Sequence, residues 1–360
     1  MIQISKRGEL SRGRALAIRA AGLLLGVLLC AVVTVVTTGE NPLSVFSAVV
    51  KGSFGTSRKA WIFFQNTAVL LMISLAVTPA FKMRCWNLGA EGQVLAGAMA
   101  ATACMVLLSG KTSSGVAIVC MLLTSVLAGA LWAGIPAFFK ARFNTNETLF
   151  TLMMNYVAMQ IVSFFCVVWE NPKGSGQMGV INQNTHFGWV PDLGNRYLLV
   201  IVTVIVCTVL MHFYLSYTKH GFELTVVGES ERTARYVGIK VDRVILRTML
   251  LSGAVCGLTG FLLVGSINHN VSPEIAGGQG FTAVMVSWLA KFHPAVMGLF
   301  SALLIFLSAG ANELATSIGL NRSFGDMLAG ILIFCIIGCE FFINYKISFH
   351  KKNKEVDAHV

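Results

Sequence analysis

Glu91 is a carboxylate set among apolar residues, and the side chains around it can exchange hydrogen bonds with a neutral polar molecule. The stretch Arg84-Cys85-Trp86-Asn87-Leu88-Gly89-Ala90-Glu91-Gly92-Gln93 brings Asn87, Glu91 and Gln93 between two apolar runs, with Gly89 and Gly92 beside them. The next apolar run, 94–108, has 15 residues. As helix it would be about 22 Å long, short of a hydrocarbon core of about 30 Å. It therefore needs part of the polar stretch to cross, and glycines permit a break in the helix there. A carboxylate at that depth must face protein or water. Two readings stand: Glu91 lines or gates a solute route, or it lies at the inner interface paired with Arg84 or Lys82.

A second polar group, Asn144-Thr145-Asn146-Glu147, leads into the apolar run 148–169, where Thr148, Thr151 and Asn155 share one helix face. In a bundle such a stripe meets other helices or an aqueous route, not lipid. Interhelical hydrogen bonding and solute contact are both open for Thr151 and Asn155. A third feature lies between Thr218 and Arg247. Ser230 has the chemistry of a helix N-cap and Gly238 that of a stop. They predict a two-turn helix carrying Arg232, Ala234, Arg235 and an exposed Tyr236, with Gly228 just before it. Start and stop signals of this kind suit a docking helix for a cytosolic partner better than a merely solvated loop.

Covalent chemistry finds no support. Gly110-Lys111-Thr112 ends like a phosphate-binding loop, but Met105 stands where that loop requires its first glycine. No Ser/His/Asp or HExxH arrangement is present, so the chain is not expected to be an enzyme, and neither metal nor cofactor is expected. Most of the nine cysteines sit inside apolar runs and read as small buried side chains. Cys335 and Cys339 share a helix face, as do Gly22 and Gly26; Gly253 and Gly257 form another small-residue pair followed by Gly260. Close helix packing accounts for all of them.

The elements that must hold these residues are membrane spans. The 360 residues are 55% hydrophobic and 12% charged, about half the charged fraction of a soluble domain, with no polar stretch long enough for a second domain. Apolar runs fall at 15–38, 61–81, 94–108, 115–139, 148–169, 197–217, 249–267, 281–290, 294–311 and 324–345. The first is too long for a typical signal-peptide core and is expected to be retained. Two are short, and 281–290 is alternatively a re-entrant hairpin through Pro294. With ten spans and an internal N-terminus, twenty of the 27 basic residues fall inside and seven outside, which obeys the positive-inside rule. The net charge of +11 thus flanks spans and does not mark a nucleic-acid binder.

The expected fold is an all-α polytopic membrane bundle of about ten transmembrane helices (eight if neither short run crosses), both termini cytoplasmic. Its parts are an N-terminal tail 1–14, a transmembrane domain 15–345 and a C-terminal tail 346–360. The domain includes an outer loop 170–196 and an inner coupling loop 218–247.

Three stretches resemble one family. Asn87 to Gln93 is similar to the N-[IL]-G-A-E-G-Q of the permease subunits of bacterial ABC importers, in their simple-sugar and nucleoside branch. Asn146-Glu147 with Thr151 to Tyr156 is similar to that family's N-E-x-x-x-T-L-M-x-N-Y. Gly228 with Ala234 to Ile239, then Leu251-Ser252-Gly253-Ala254 and Gly257-Leu258, resembles its cytoplasmic loop and following helix. The likeness runs from about residue 60 to 340. Trp86 stands where a smaller or phenylalanine-like residue is usual, and Trp288 and Lys291-Phe292-His293-Pro294 also depart from the pattern. So do Thr225, Ser230-Glu231 and Thr233.

The resemblance implies a pore subunit that does no chemistry on its solute, in the bacterial inner membrane. Its partners would be a cytosolic ATPase gripping Gly228, Ser230, Arg232, Ala234, Arg235, Tyr236 and Gly238, and a periplasmic or lipid-anchored binding protein. A second permease subunit would complete the pore, a different chain being favoured over a copy. The route residues would be Asn87, Glu91, Gln93, Thr151 and Asn155. The G-A-E-G-Q form is similar to nucleoside-type members, which makes a nucleoside the first expectation and a simple sugar the alternative. An ion-coupled secondary transporter is the rival class; it needs buried carboxylate pairs that these spans lack.

Overall fold

The computed structural model describes residues 2–6, 11–39, 42–192, 194–318 and 322–349. Much of the two predicted tails, 1 with 7–10 and 350–360, lies outside the described residues. In chain order the elements are β1 (Ile2–Lys6), α1 (Arg12–Thr38), α2 (Pro42–Phe54), α3 (Ser57–Lys82), α4 (Ala90–Leu107), α5 (Ser114–Phe143), α6 (Glu147–Val168) and α7 (Leu198–Tyr217). There follow α8 (Lys219–Glu229), α9 (Glu231–Tyr236), α10 (Val241–Leu262, continued as π-helix over Leu263–Asn268), α11 (Gln279–Leu289), α12 (Pro294–Ile318), α13 (Arg322–Asn344) and β2 (Tyr345–Phe349).

Among the described residues nine helices are long and apolar enough to span a membrane: α1, α3, α4, α5, α6, α7, α10 with its extension, α12 and α13. The short run at 94–108 is therefore part of a helix long enough to span, lengthened inward by Ala90 to Gln93. The run at 281–290 is different. Helix α11 has 11 residues, about 16 Å, and cannot cross alone. The chain divides into two compact units, Met1–Ala60 with Leu303–Val360, and Trp61–Ala302.

In the first unit β1 pairs antiparallel with β2, Ile2 opposite Phe349 and Lys6 opposite Tyr345, so parts of the two expected tails lie side by side. The predicted small-residue face and cysteine face meet each other: a Cβ at Gly26 would lie 3.2 Å from that of Cys335, and Gly22 lies against Cys339. Lys59 and Glu313 pair at 2.7 Å. Helix α2 was not expected from the sequence, because its 13 residues are too few for a span.

The core of the second unit is α10 against α5 and α4. A Cβ at Gly253 would overlap the carbonyl oxygen of Gly129, one at Gly257 that of Ser125, and one at Gly260 that of Val94. Backbones this close leave only hydrogen at those positions, the packing expected of the 253/257/260 spacing. The outward faces of α5 (Val119, Leu123, Leu127, Leu131, Ile135) and α7 (Val202, Ile205, Val206, Val209, Leu210, Phe213) are exposed and wholly apolar. Hydrocarbon is the solvent that suits such faces.

Candidate functional site

The site begins where α3 ends. Residues 83–89 are not helical, yet they rise into the bundle. Asn87 Nδ2 donates to Ser252 Oγ at 3.0 Å; Ser252 lies three residues into the apolar run 249–267, about 5 Å along α10 from the inner start of that run, and both residues are fully buried. Backbone at that depth has no water to bond, so each orphaned group needs a partner from protein.

Helix α6 supplies the partners. Thr151 Oγ1 accepts the N–H of Leu88 at 3.1 Å, and Asn155 Nδ2 donates to the Leu88 carbonyl at 2.8 Å. Asn155 Oδ1 also accepts the N–H of Gly92 at 2.8 Å. Spaced one turn apart, Thr151 and Asn155 replace the helical hydrogen bonds that the chain lacks at Leu88. Their stripe is thus interhelical glue in this state. Asn146 Oδ1 caps α6 by accepting from Leu149 N–H at 3.2 Å, and Glu147 pairs with Lys140 at 3.0 Å, fixing the inner start of α6 on the end of α5.

Asn87 and Gln93 close on each other. Gln93 Nε2 donates to Asn87 Oδ1 at 2.9 Å, which also accepts the N–H of Gly89 at 3.1 Å. Asn87, Glu91, Gln93, Thr151 and Asn155 are 0%, 5%, 1%, 0% and 2% exposed, so all five candidate route residues stand together behind the surface.

Glu91 makes neither of the pairings expected with Arg84 or Lys82. Its two carboxyl oxygens accept the N–H groups of Gly278 at 3.0 Å and Gly280 at 2.8 Å. These are the free donors at the N-terminus of α11, where a carboxylate suits the helix dipole. The turn works because Gly277 and Gly278 both take left-handed backbone, φ 60° and 72°. What reads in sequence as a flexible Gly277-Gly278-Gln279-Gly280 connection is a fixed anion cradle filled by Glu91. The outer half of this segment is non-helical: Cys166 Sγ, near the outer end of α6, donates to the Val271 carbonyl at 3.4 Å. At the other end Trp288 meets Trp86, beside the inner end of α3. Segment 271–289 thus runs from the end of α6 to the end of α3, half strap and half helix.

The inner face carries the predicted short helix, preceded by α8, an element the sequence signals do not predict. Ser230 Oγ accepts the N–H of Thr233 at 3.2 Å and caps α9. Gly238, φ 87°, turns the chain away. Ala234 is buried, whereas Tyr236 is 93% and Val237 67% exposed. Arg235 reaches Asp242 at 3.4 Å on the surface, and Arg232 is exposed. Gly228 is buried, and a Cβ there would overlap the Lys82 carbonyl oxygen, so α8 rests directly on the inner end of α3.

Sequence reasoning missed the opposite face of α6. Leu149, Met153, Tyr156, Val157, Gln160, Ile161 and Phe164 are exposed, and unlike the faces of α5 and α7 this one carries polar groups in mid-span. An amide against hydrocarbon without a partner costs about 2–7 kcal/mol. Gln160 therefore faces something other than lipid. The signal was Tyr156 and Gln160 one turn apart, overshadowed by the Thr151/Asn155 stripe on the other side of the helix.

Residues 60–337 match the family described as branched-chain amino acid transport system / permease component. The chain is 28% identical to the glucose ABC transporter permease TsgB13 of Haloferax volcanii over 80% of this chain and 79% of that one. It is 28% identical to the guanosine ABC transporter permease NupP of Bacillus subtilis over 86% and 90%. It is 24% identical to the nucleoside ABC transporter permease NupB of Lactococcus lactis over 93% and 94%.

Proposed function

The chain belongs to the family of branched-chain amino acid transport system permease components, and on that premise we propose that it is a pore subunit of an importer for nucleosides. It sits in a bacterial inner membrane, works with a second permease subunit of different sequence, and is driven by a cytosolic ATPase docked on α9. A binding protein delivers the solute outside. The ATPase would hydrolyse ATP; this chain would move the solute unchanged, by exchange between outward-open and inward-open states.

The observation that carries this reading is the mid-span polarity of α6. Tyr156 and Gln160 need a polar neighbour, and a second permease with a hydrated solute route between the two supplies one. Asn87, Glu91, Gln93, Thr151 and Asn155 serve that route, and in this state they are the frame that sets α6 and α11. Nucleosides are favoured by the Gly89-Ala90-Glu91-Gly92-Gln93 form, and relatives named for guanosine and for nucleosides cover nine-tenths or more of their own lengths. A sugar is the second reading, favoured by the glucose permease of equal identity.

The test is reconstitution with both partner subunits and the binding protein, followed by uptake of labelled guanosine and glucose with and without ATP. ATP-dependent guanosine uptake, competed by other nucleosides and not by glucose, is the expected result. Glucose-only uptake would transfer the assignment to sugars, and gradient-driven uptake by the chain alone would overturn the importer itself.

A further inference from the structure

The exposed face of α6 changes character along its length. Its inner turns present Leu149 and Met153, neither of which carries a ring. From mid-span outward rings recur. Tyr156 and Phe164 are both exposed, and Gln160 is exposed between them. Spaced four residues apart, the three stand on one side of the helix with about 6 Å of rise from each to the next. Phe164 is edge-on to Phe165 at 5.4 Å, and Phe165 is tilted against Trp169 at 5.0 Å, so the rings continue to the outer end of α6. Tyr156, Val157, Gln160, Ile161, Phe164 and Phe165 line a groove of about 490 Å³, a size common among small-molecule sites.

The lining restricts what the groove can hold. None of the six side chains is charged, so a phosphate would lose its water there with no cation in return. The Gln160 amide offers two donors and an acceptor in one plane, and the edge of a nucleobase presents donors and acceptors in one plane too. One turn from each ring, the amide reaches the edge of a base lying on either. Stacking of a base on an aromatic side chain is worth about 1–3 kcal/mol and serves any base, because every base has a π-face. A sugar can satisfy the amide but has no planar face to offer the rings.

We propose that Tyr156, Gln160 and Phe164 recognise the base of the solute, the rings by stacking and the amide at its edge, while the ribose goes unread and a phosphate is refused. This rests on the reading of the chain as a nucleoside importer subunit with α6 on the route. It adds a direction: a base entering from outside finds rings as far as Tyr156 and only Leu149 and Met153 beyond, so its hold weakens on the inner side, where it is released.

The test uses the assembled importer, with both permease subunits, the ATPase and the binding protein, in liposomes. Guanosine uptake is compared among wild type, Tyr156→Phe, Tyr156→Leu and Gln160→Met, always with the same binding protein, so its own selectivity cancels. Tyr156→Phe keeps the ring and is expected to transport as wild type. Tyr156→Leu and Gln160→Met are expected to lower uptake on the order of tenfold, the factor that about 1.4 kcal/mol represents, and to lower deoxyguanosine uptake by the same factor. The second subunit should still co-purify, and the binding protein should still stimulate the ATPase. Wild-type uptake in the leucine and methionine variants would overturn the proposal. So would Tyr156→Phe failing like Tyr156→Leu with loss of the second subunit, which would make the hydroxyl an intersubunit hydrogen bond. A second measurement needs no variant: an azido derivative of guanosine, photolysed in the wild-type complex during turnover, is expected to label residues 156–164, and labelling confined to other helices would overturn the assignment. A wild-type complex that imports glucose and no nucleoside would instead defeat the nucleoside reading itself.

Discussion

Glu91 Oε2 accepts the N–H of Gly280 at 2.8 Å across 189 positions of sequence, and through that bond the start of α4 fixes the start of α11. Both elements follow non-helical stretches, so each lacks the preceding turn that would otherwise position it. Glu91→Gln keeps the volume but replaces one accepting oxygen with a donor that faces an N–H. It is expected to cost about 2 kcal/mol, the worth of one charge-assisted hydrogen bond, seen as a lowered unfolding temperature in detergent. Glu91→Ala should cost more. If Glu91→Gln unfolds with wild type and transports normally, Glu91 neither holds α11 nor acts on the route.

Asn155 satisfies a backbone N–H and a backbone carbonyl at once, those of Gly92 and Leu88. Asn155→Ala orphans both where water does not reach, at about 1–3 kcal/mol for each group. Thr151→Val removes the partner of the Leu88 N–H and a longer contact to the Trp86 carbonyl at 3.4 Å, the weaker loss of the two variants. The expected order of thermal stability is wild type, Thr151→Val, Asn155→Ala. Equal stability of the three would show that residues 86–92 find other partners.

Much of this was legible in sequence, and the failures have physical causes. Apolar length and basic asymmetry marked the spans, because the bilayer imposes both. The Ser230 cap and the Gly238 stop were legible because capping is local. The partner of Glu91 was not, since it lies 187–189 residues away on glycines whose only contribution is backbone. Gly277 to Gly280 read as flexible for the same reason: glycine permits many conformations, and a distant carboxylate selects one. The polar face of α6 escaped because its Tyr156 and Gln160 lie in the same run as the buried Thr151/Asn155 stripe, on the other side of the helix, and sequence alone does not say which polar side is covered.

Tyr236 and Val237 stand out from the inner face with no packing role, so their substitution separates docking from folding. Tyr236→Ala with Arg232→Glu is expected to leave the unfolding temperature unchanged within about 0.5 kcal/mol, as for exposed sites generally. The same variant should lose co-purification of the ATPase. Gly228→Ala is expected to do the reverse, lowering stability by pushing α8 off the Lys82 carbonyl. Retained ATPase binding by the first variant would place the docking surface elsewhere.

Gln160 gives a direct reading of what covers α6. Gln160→Cys is expected to react with a charged, water-borne thiol reagent in the assembled complex, and to be protected by saturating solute. Leu127→Cys on α5 and Leu210→Cys on α7, at apolar faces, should stay unreactive because a thiolate does not form in hydrocarbon. Equal reactivity at all three would remove the distinction on which the solute route rests.

The outer loop should respond to acid in two separable steps. Trp189 lies flat on His269, centroids 3.7 Å apart, while its Nε1 donates to the Ile181 carbonyl and Ile181 N–H donates to that of His269. Burial holds the His269 imidazole below its usual range, with Arg196 and His186 acting in the same sense and Asp192 against them. A released His269 thus binds a proton more readily than a held one. The anchoring is complete above the ordinary imidazole pKa of about 6.5, weakens as pH falls below it, and levels off once the held ring also protonates. Glu170 follows carboxylate logic. The N–H groups of Gly174 and Gly176 hold its carboxylate below the usual range, so that turn is secure until pH drops under about 4.3. Between about pH 7.5 and pH 5.5 the Glu170 carboxylate keeps its charge, so a response over that interval belongs to an imidazole, and the His269 variant tells which one. Deuterium exchange at residues 177–190, corrected for intrinsic rates, should quicken over that interval in wild type. In His269→Gln, which cannot titrate, the interval should have no effect; an equal acceleration there would assign the response to another group.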